Sequence, residues 1–139
     1  MQTNVCFCSE KTVTKKILRF YFGADSLERA FDNLIINKAL SFEADTLKTV
    51  DRLCEMVGEK IRLEELWTYL DGIISPFSVE EREMLLRYCA RRDEPLSDRE
   101  RRACKRAVIK FTRHARRLGR FAGAVSILKK YYCLIVAGK

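Results

Sequence analysis

Apolar residues recur along this chain at three- and four-residue steps almost from end to end, the spacing that lines one face of an α-helix. Leu27, Ala30, Phe31, Leu34 and Ile35 follow that rule. Asp25 with Glu28 three residues on has the form of a capping box, so a helix is expected from Ser26 to Leu40. A second stripe runs through Leu47, Val50, Leu53, Cys54, Val57 and Ile61, with Asp51, Glu55 and Glu59 placed toward water. Leu63, Leu66, Trp67, Leu70, Ile73 and Ile74 continue it, predicting either one helix bent near Gly58 or a new helix from Arg62, with Trp67 as a core anchor. Pro76 ends that run. Ser78 with Glu81 opens a helix expected over Val79 to Arg92, and Ser97 with Glu100 opens the longest pattern of all. Lys11 to Phe22 is compatible with a short helix or a strand, and residues 1–10 read as a polar leader.

The pattern that starts at Ser97 has two sides. Cys104, Val108, Phe111, Ala115, Leu118 and Ala122 fall within one narrow sector of a helical wheel and predict a core-facing stripe. Arg99, Arg102, Arg106, Lys110, Arg113, Arg117 and Arg120 fall diametrically opposite, flanked by Arg101, Lys105 and Arg116, so that side carries cations and no acid. One unbroken helix over residues 98–122 would be about 37 Å long. Neighbouring cations on it repel one another unless a counter-charge comes from elsewhere. That counter-charge is expected from phosphates or from an acidic protein surface, and arginine's planar fork suits bidentate contact with either. The alternative is internal: the carboxylates of the preceding segment, among them Asp25, Glu28, Asp32, Asp51, Glu55 and Glu64, fold against part of the stripe. Gly119 and Gly123 mark the expected kink into an apolar tail, Ala124 to Val136, which reads as a last buried helix or as a surface for a second copy of the chain.

Composition narrows this further. A chain of 139 residues with 47% hydrophobic content, 6 Gly and 2 Pro suits one globular domain and few helix breakers. The expected fold is all-α, a single-domain irregular bundle of about five helices. Within it, a mildly acidic body over residues 26–92 supports the basic helix and tail over residues 97–137. Residues 1–94 hold 14 Lys/Arg against 17 Asp/Glu, and residues 95–139 hold 13 against 2, so a net charge of +8 divides into −3 and +11. Such asymmetry favours a polyanionic or acidic partner. The six cysteines are scattered, with four on apolar positions of periodic segments, and the first residues carry no apolar signal region. A reducing, cytoplasmic setting is therefore expected, with no membrane partner.

Catalytic chemistry has little to work with. The single histidine, His114, stands between Arg113 and Arg116, a poor setting for a general base, with no serine or cysteine at a recognisable spacing as its nucleophile. Cys6 and Cys8 supply two thiols where structural zinc wants four ligands, so no metal and no cofactor is expected. The segment Phe77-Ser-Val-Glu-Glu-Arg-Glu-Met-Leu-Leu-Arg-Tyr88 resembles the opening helix of the C-terminal promoter-binding region of bacterial sigma factors. The resemblance stops there. Those proteins continue through a short helix and a turn into a recognition helix, whereas Ala90 to Arg99 is a polar linker into one long helix, so no family follows. The sequence thus points to a small non-enzymatic binding protein, nucleic-acid-binding or transcription-related, that uses an arginine-rich helix face on phosphates. The alternative is a helical adaptor or homo-oligomer whose basic face meets acidic protein surface; an enzyme of unrecognised type is a further alternative.

Overall fold

The computed structural model describes residues 14–40, 46–90 and 96–131. Within them the chain is all-α: α1 (residues 14–22), α2 (Ala24–Leu40), α3 (Thr46–Ile74), α4 (Val79–Cys89), α5 (Asp98–His114), a 3-10 segment (Arg116–Phe121) and α6 (Ala122–Lys130). The irregular bundle expected from the sequence is what the chain adopts. The described part of Lys11 to Phe22 is helix, and it buries Ile17, Leu18 and Phe20. The leader, Cys6, Cys8, Cys133 and the tail beyond Tyr131 lie outside the described residues.

Only Gly23 separates α1 from α2, and its N–H still donates to Arg19 O at 2.8 Å. A Cβ at this position would stand 3.0 Å from that same oxygen, a tight contact that glycine avoids. The chain therefore enters α2 already helical, at Ala24 rather than Ser26, and Asp25 is an interior residue of the first turn. The expected helix is there, but Asp25 does not stand at the N-cap position of a capping box.

The central element is α3, a single helix of 29 residues and about 44 Å. Neither Gly58 nor Arg62 interrupts it. Its C-terminal half buries Leu63, Leu66, Leu70 and Ile74 as the pattern predicts. Its N-terminal half is turned the other way. Val50, Cys54, Val57 and Ile61 are exposed, whereas Thr49, Met56 and Glu59 are buried. The reason lies in α6, which packs across this half of α3. Glu59 accepts hydrogen bonds from Lys130 Nζ (2.9 Å) and Tyr131 Oη (2.8 Å), and the Tyr131 ring rests on Phe31 with centroids 4.7 Å apart. Burial pushes the Glu59 carboxyl up, but the hydrogen bonds from Lys130 and Tyr131 outweigh it and leave it below the usual carboxylate range. A satisfied carboxylate therefore occupies the core side of α3, and the apolar stripe is left outside.

The hairpin of α4 and α5 completes the body. Each helix starts with a full capping box, Ser78 with Glu81 and Ser97 with Glu100. α4 ends at Cys89 with Ala90 as its cap, short of the expected Arg92; Arg91 and Arg92 lie outside the described residues. α1 bridges α4 and α3: Arg19 Nε donates to Cys89 O, Tyr21 Oη donates to Asp71 at 2.7 Å, and Trp67 Nε1 donates to Tyr21 O at 3.1 Å. Trp67 is half-buried rather than fully enclosed. In α6, Ala124, Ile127 and Leu128 are buried, so the first part of the apolar tail closes the core. Cys89 and Cys104 are buried and Cys54 is exposed.

Candidate nucleic-acid interface

Two choices in the sequence position the basic residues. Cys104, Ala107, Phe111 and Ala115 are buried against the bundle; most are small, which lets α5 lie close to α4. Phe111 is the largest of these side chains and is 1% exposed. This burial is rotated slightly from the expected stripe, since Ala107 joins it, Val108 and Leu118 are only partly buried, and Ala122 is exposed. With the helix docked this way, Arg99, Arg102, Arg106 and Arg113 are all exposed, and on a wheel of 100° per residue they share one sector of about 60°. Arg101 and Lys105 are exposed on its flank. Asp98 is exposed too, in the first turn, where a carboxylate complements the positive end of the helix dipole.

The unbroken helix over residues 98–122 does not form. α5 ends at His114, and Ala115, at φ −91° and ψ 32°, caps it. The break thus precedes Gly119 and Gly123, where the kink was expected. What redirects the chain is α3. The Arg117 N–H donates to Tyr69 Oη at 3.0 Å, and Phe121 stacks on the Tyr69 ring with centroids 4.7 Å apart. A tighter 3-10 path brings both contacts to Tyr69. α5 is consequently 17 residues long, and its arginine row, from Arg99 to Arg113, spans about 21 Å. Arg116, Arg117 and Arg120 are exposed on the 3-10 segment. There three residues make a turn, so Arg117 and Arg120 share a face but no longer continue the register of α5.

Lys110 differs from its neighbours in the expected set. Its Nζ lies 2.9 and 3.0 Å from the two carboxylate oxygens of Glu81 and 4.5 Å from the centroid of the Phe77 ring. The Ser78 backbone N–H and Lys110 together hold the Glu81 carboxyl below its usual range. Glu100 is likewise lowered, by the Ser97 backbone N–H and by Arg87 at 2.6 Å. Internal neutralisation is thus real but confined to the edge of the face. Among the described residues, no salt bridge reaches Arg99, Arg101, Arg102, Lys105, Arg106, Arg113, Arg116, Arg117 or Arg120.

The face has parts that the sequence pattern did not single out. Ile109 is 40% exposed and falls between Lys105 and Arg102 on the wheel, placing an apolar side chain beside the arginine sector. Tyr69 fixes the 3-10 segment from a neighbouring helix, and no local signal could have named it. His114 is exposed at the edge, with Nδ1 2.8 Å from Lys110 O, which requires a proton on that nitrogen, and its ring meets Phe77 edge-on. No group of three or more metal-ligating side chains is assembled among the described residues, and no helix among them is long and apolar enough to cross a membrane. Compared with family models, with curated proteins and with solved structures, the chain matches none.

Proposed function

We propose that this protein is a non-enzymatic nucleic-acid-binding module that sets the arginine row of α5 against a phosphate backbone. The observation that carries this reading is the exposure of Arg99, Arg102, Arg106 and Arg113 in one sector without a salt bridge to any described residue. Arginines one turn apart destabilise a bare helix, and a polyanion removes that cost on binding. A row about 21 Å long matches several successive phosphates along a nucleic-acid strand. Arg116, Arg117 and Arg120 extend the contact to a second line of phosphates. Positioning of this kind carries no sequence information in itself.

Fluorescence anisotropy of labelled duplex DNA, duplex RNA and single strands tests the proposal. The full chain binds generic nucleic acid at about 50 mM salt, and reversing Arg102, Arg106 and Arg113 to glutamate removes binding while circular dichroism stays helical. Absence of binding at that salt, or binding indifferent to the three reversals, refutes it.

One observation favours a second reading, a helical adaptor. Val50, Cys54, Val57 and Ile61 form an exposed apolar seam on α3 at the four-three-four spacing with which one helix packs on another. Sedimentation velocity over a wide concentration range separates the readings: a mass that rises with concentration and returns to monomer in Val57→Lys supports the adaptor, and a constant monomer excludes self-association through this seam.

A further inference from the structure

A cleft of about 400 Å³ opens between α2 and α3, away from the arginine row and unused by it. Its floor is the buried Phe20, Leu27, Phe31 and Leu63, and Trp67 forms one wall. The rim holds three carboxylates, Asp25, Glu28 and Glu64, against one ammonium, Lys60. That ammonium is already engaged, at 2.6 Å from Asp32 and 3.9 Å from Glu28.

The hydrogen-bonding inventory of the lining is one-sided. Trp67 Nε1 donates to Tyr21 O and Thr68 Oγ1 to Glu64 O, and the Lys60 ammonium is bound to Asp32. Trp67 also stacks on Tyr21, with centroids 5.5 Å apart, so its contribution to the wall is ring surface. An anion entering the cleft would meet three carboxylates against one ammonium that Asp32 already pairs. A neutral apolar molecule would fill the floor but strip water from the rim carboxylates without replacing it. A cation with an apolar body satisfies both, through the carboxylates and the aromatic faces. The volume falls in the range of small-molecule sites and is too small for a docked helix.

We infer that the cleft between α2 and α3 is a binding site for a lipophilic organic cation, held over Trp67 and Phe20 by Glu28, Glu64 and Asp25. The site is independent of the arginine row, so either can fail without the other.

Trp67 is the sole tryptophan, and its fluorescence reports the cleft directly. Titration of the full chain with tetraphenylphosphonium is compared with tetraphenylborate, a probe of nearly equal size and opposite charge. The cation quenches Trp67 saturably with one-to-one stoichiometry in calorimetry, and the anion is weaker by about tenfold or more. Glu64 and Thr68 are exposed, so substitutions there leave the core intact. Glu64→Gln weakens the cation by several-fold and Thr68→Arg abolishes its binding, with unchanged helicity. Quenching by anion and cation alike, absence of saturation up to about 1 mM, or a cation affinity untouched by both substitutions overturns the assignment.

Discussion

Lys110 Nζ is bound to both carboxylate oxygens of Glu81, at 2.9 and 3.0 Å, and the same carboxylate closes the capping box of α4 by accepting the Ser78 N–H at 2.9 Å. One side chain thus ties the start of α4 to the C-terminal part of α5. The pair separates structural cations from available ones on a helix whose basic residues look alike in sequence.

Lys110→Ala and Arg106→Ala are therefore expected to differ in kind. The first loses a partly exposed ion pair and lowers unfolding stability by about 0.5 kcal/mol, with little effect on nucleic-acid affinity. The second leaves stability unchanged and weakens binding. Glu81→Ala costs more than Lys110→Ala, by about 1 kcal/mol, because the cap goes with the pair. Urea denaturation and anisotropy on the three variants check the ordering.

Glu59 gives a pH signature. Its folded carboxyl is lowered, as are those of Glu81 and Glu100, so the unfolded chain binds these protons more tightly. The stability they contribute is fully present above the unfolded-state value of about 4.3 and is lost as pH falls through the lower folded values. Glu59→Gln is expected to cost about 1 to 3 kcal/mol at neutral pH, since Tyr131 Oη and Lys130 lose a charged acceptor. Its unfolding free energy also falls less steeply than that of the parent between about pH 5 and pH 3. A parallel pair of pH profiles would show that Glu59 is not an acid-sensitive contact between α3 and α6.

Tyr21 offers an alkaline counterpart. Burial and the hydrogen bond to Asp71 push its hydroxyl from 10.0 to about 12. A raised folded value means that the stabilisation holds below about pH 10 and is lost as pH rises toward 12. Ultraviolet titration of tyrosinate should show a late-titrating phenol that disappears in Tyr21→Phe.

The phase of α3 is tested by two neighbours. Met56 is 4% exposed and Val57 43%. Met56→Ala is expected to cost about 2 to 4 kcal/mol through the cavity it leaves, and Val57→Lys less than about 0.5 kcal/mol. Thermal or urea unfolding distinguishes this order from the reverse, which the sequence pattern alone implies.

That inversion marks the limit of what periodicity can say. The helical class, the boxes at Ser78 and Ser97 and the buried run from Leu63 to Ile74 were legible because each rests on neighbours in sequence. The N-terminal half of α3 was not, because two apolar stripes compete there. The choice was made by Tyr131 and Lys130, some seventy residues away, which supply Glu59 with partners and draw it inward. The end of α5 at Ala115 is similar in origin. Nothing in residues 98–122 requires a break, and Tyr69 imposes it from α3 through the Arg117 N–H and the Phe121 ring. Of the expected basic set, Arg99, Arg102, Arg106 and Arg113 share a sector of α5, Lys110 is held by Glu81, and Arg117 and Arg120 are set apart by the 3-10 turn.

The salt dependence of nucleic-acid affinity bears most directly on the role of this face. With four arginines on α5 and up to three on the 3-10 segment neutralising phosphates, a plot of log affinity against log salt for duplex DNA should be linear with a slope of about −4 to −6. A slope shallower than about −1, or no measurable affinity at low salt, would contradict the assignment of the arginine row to phosphate.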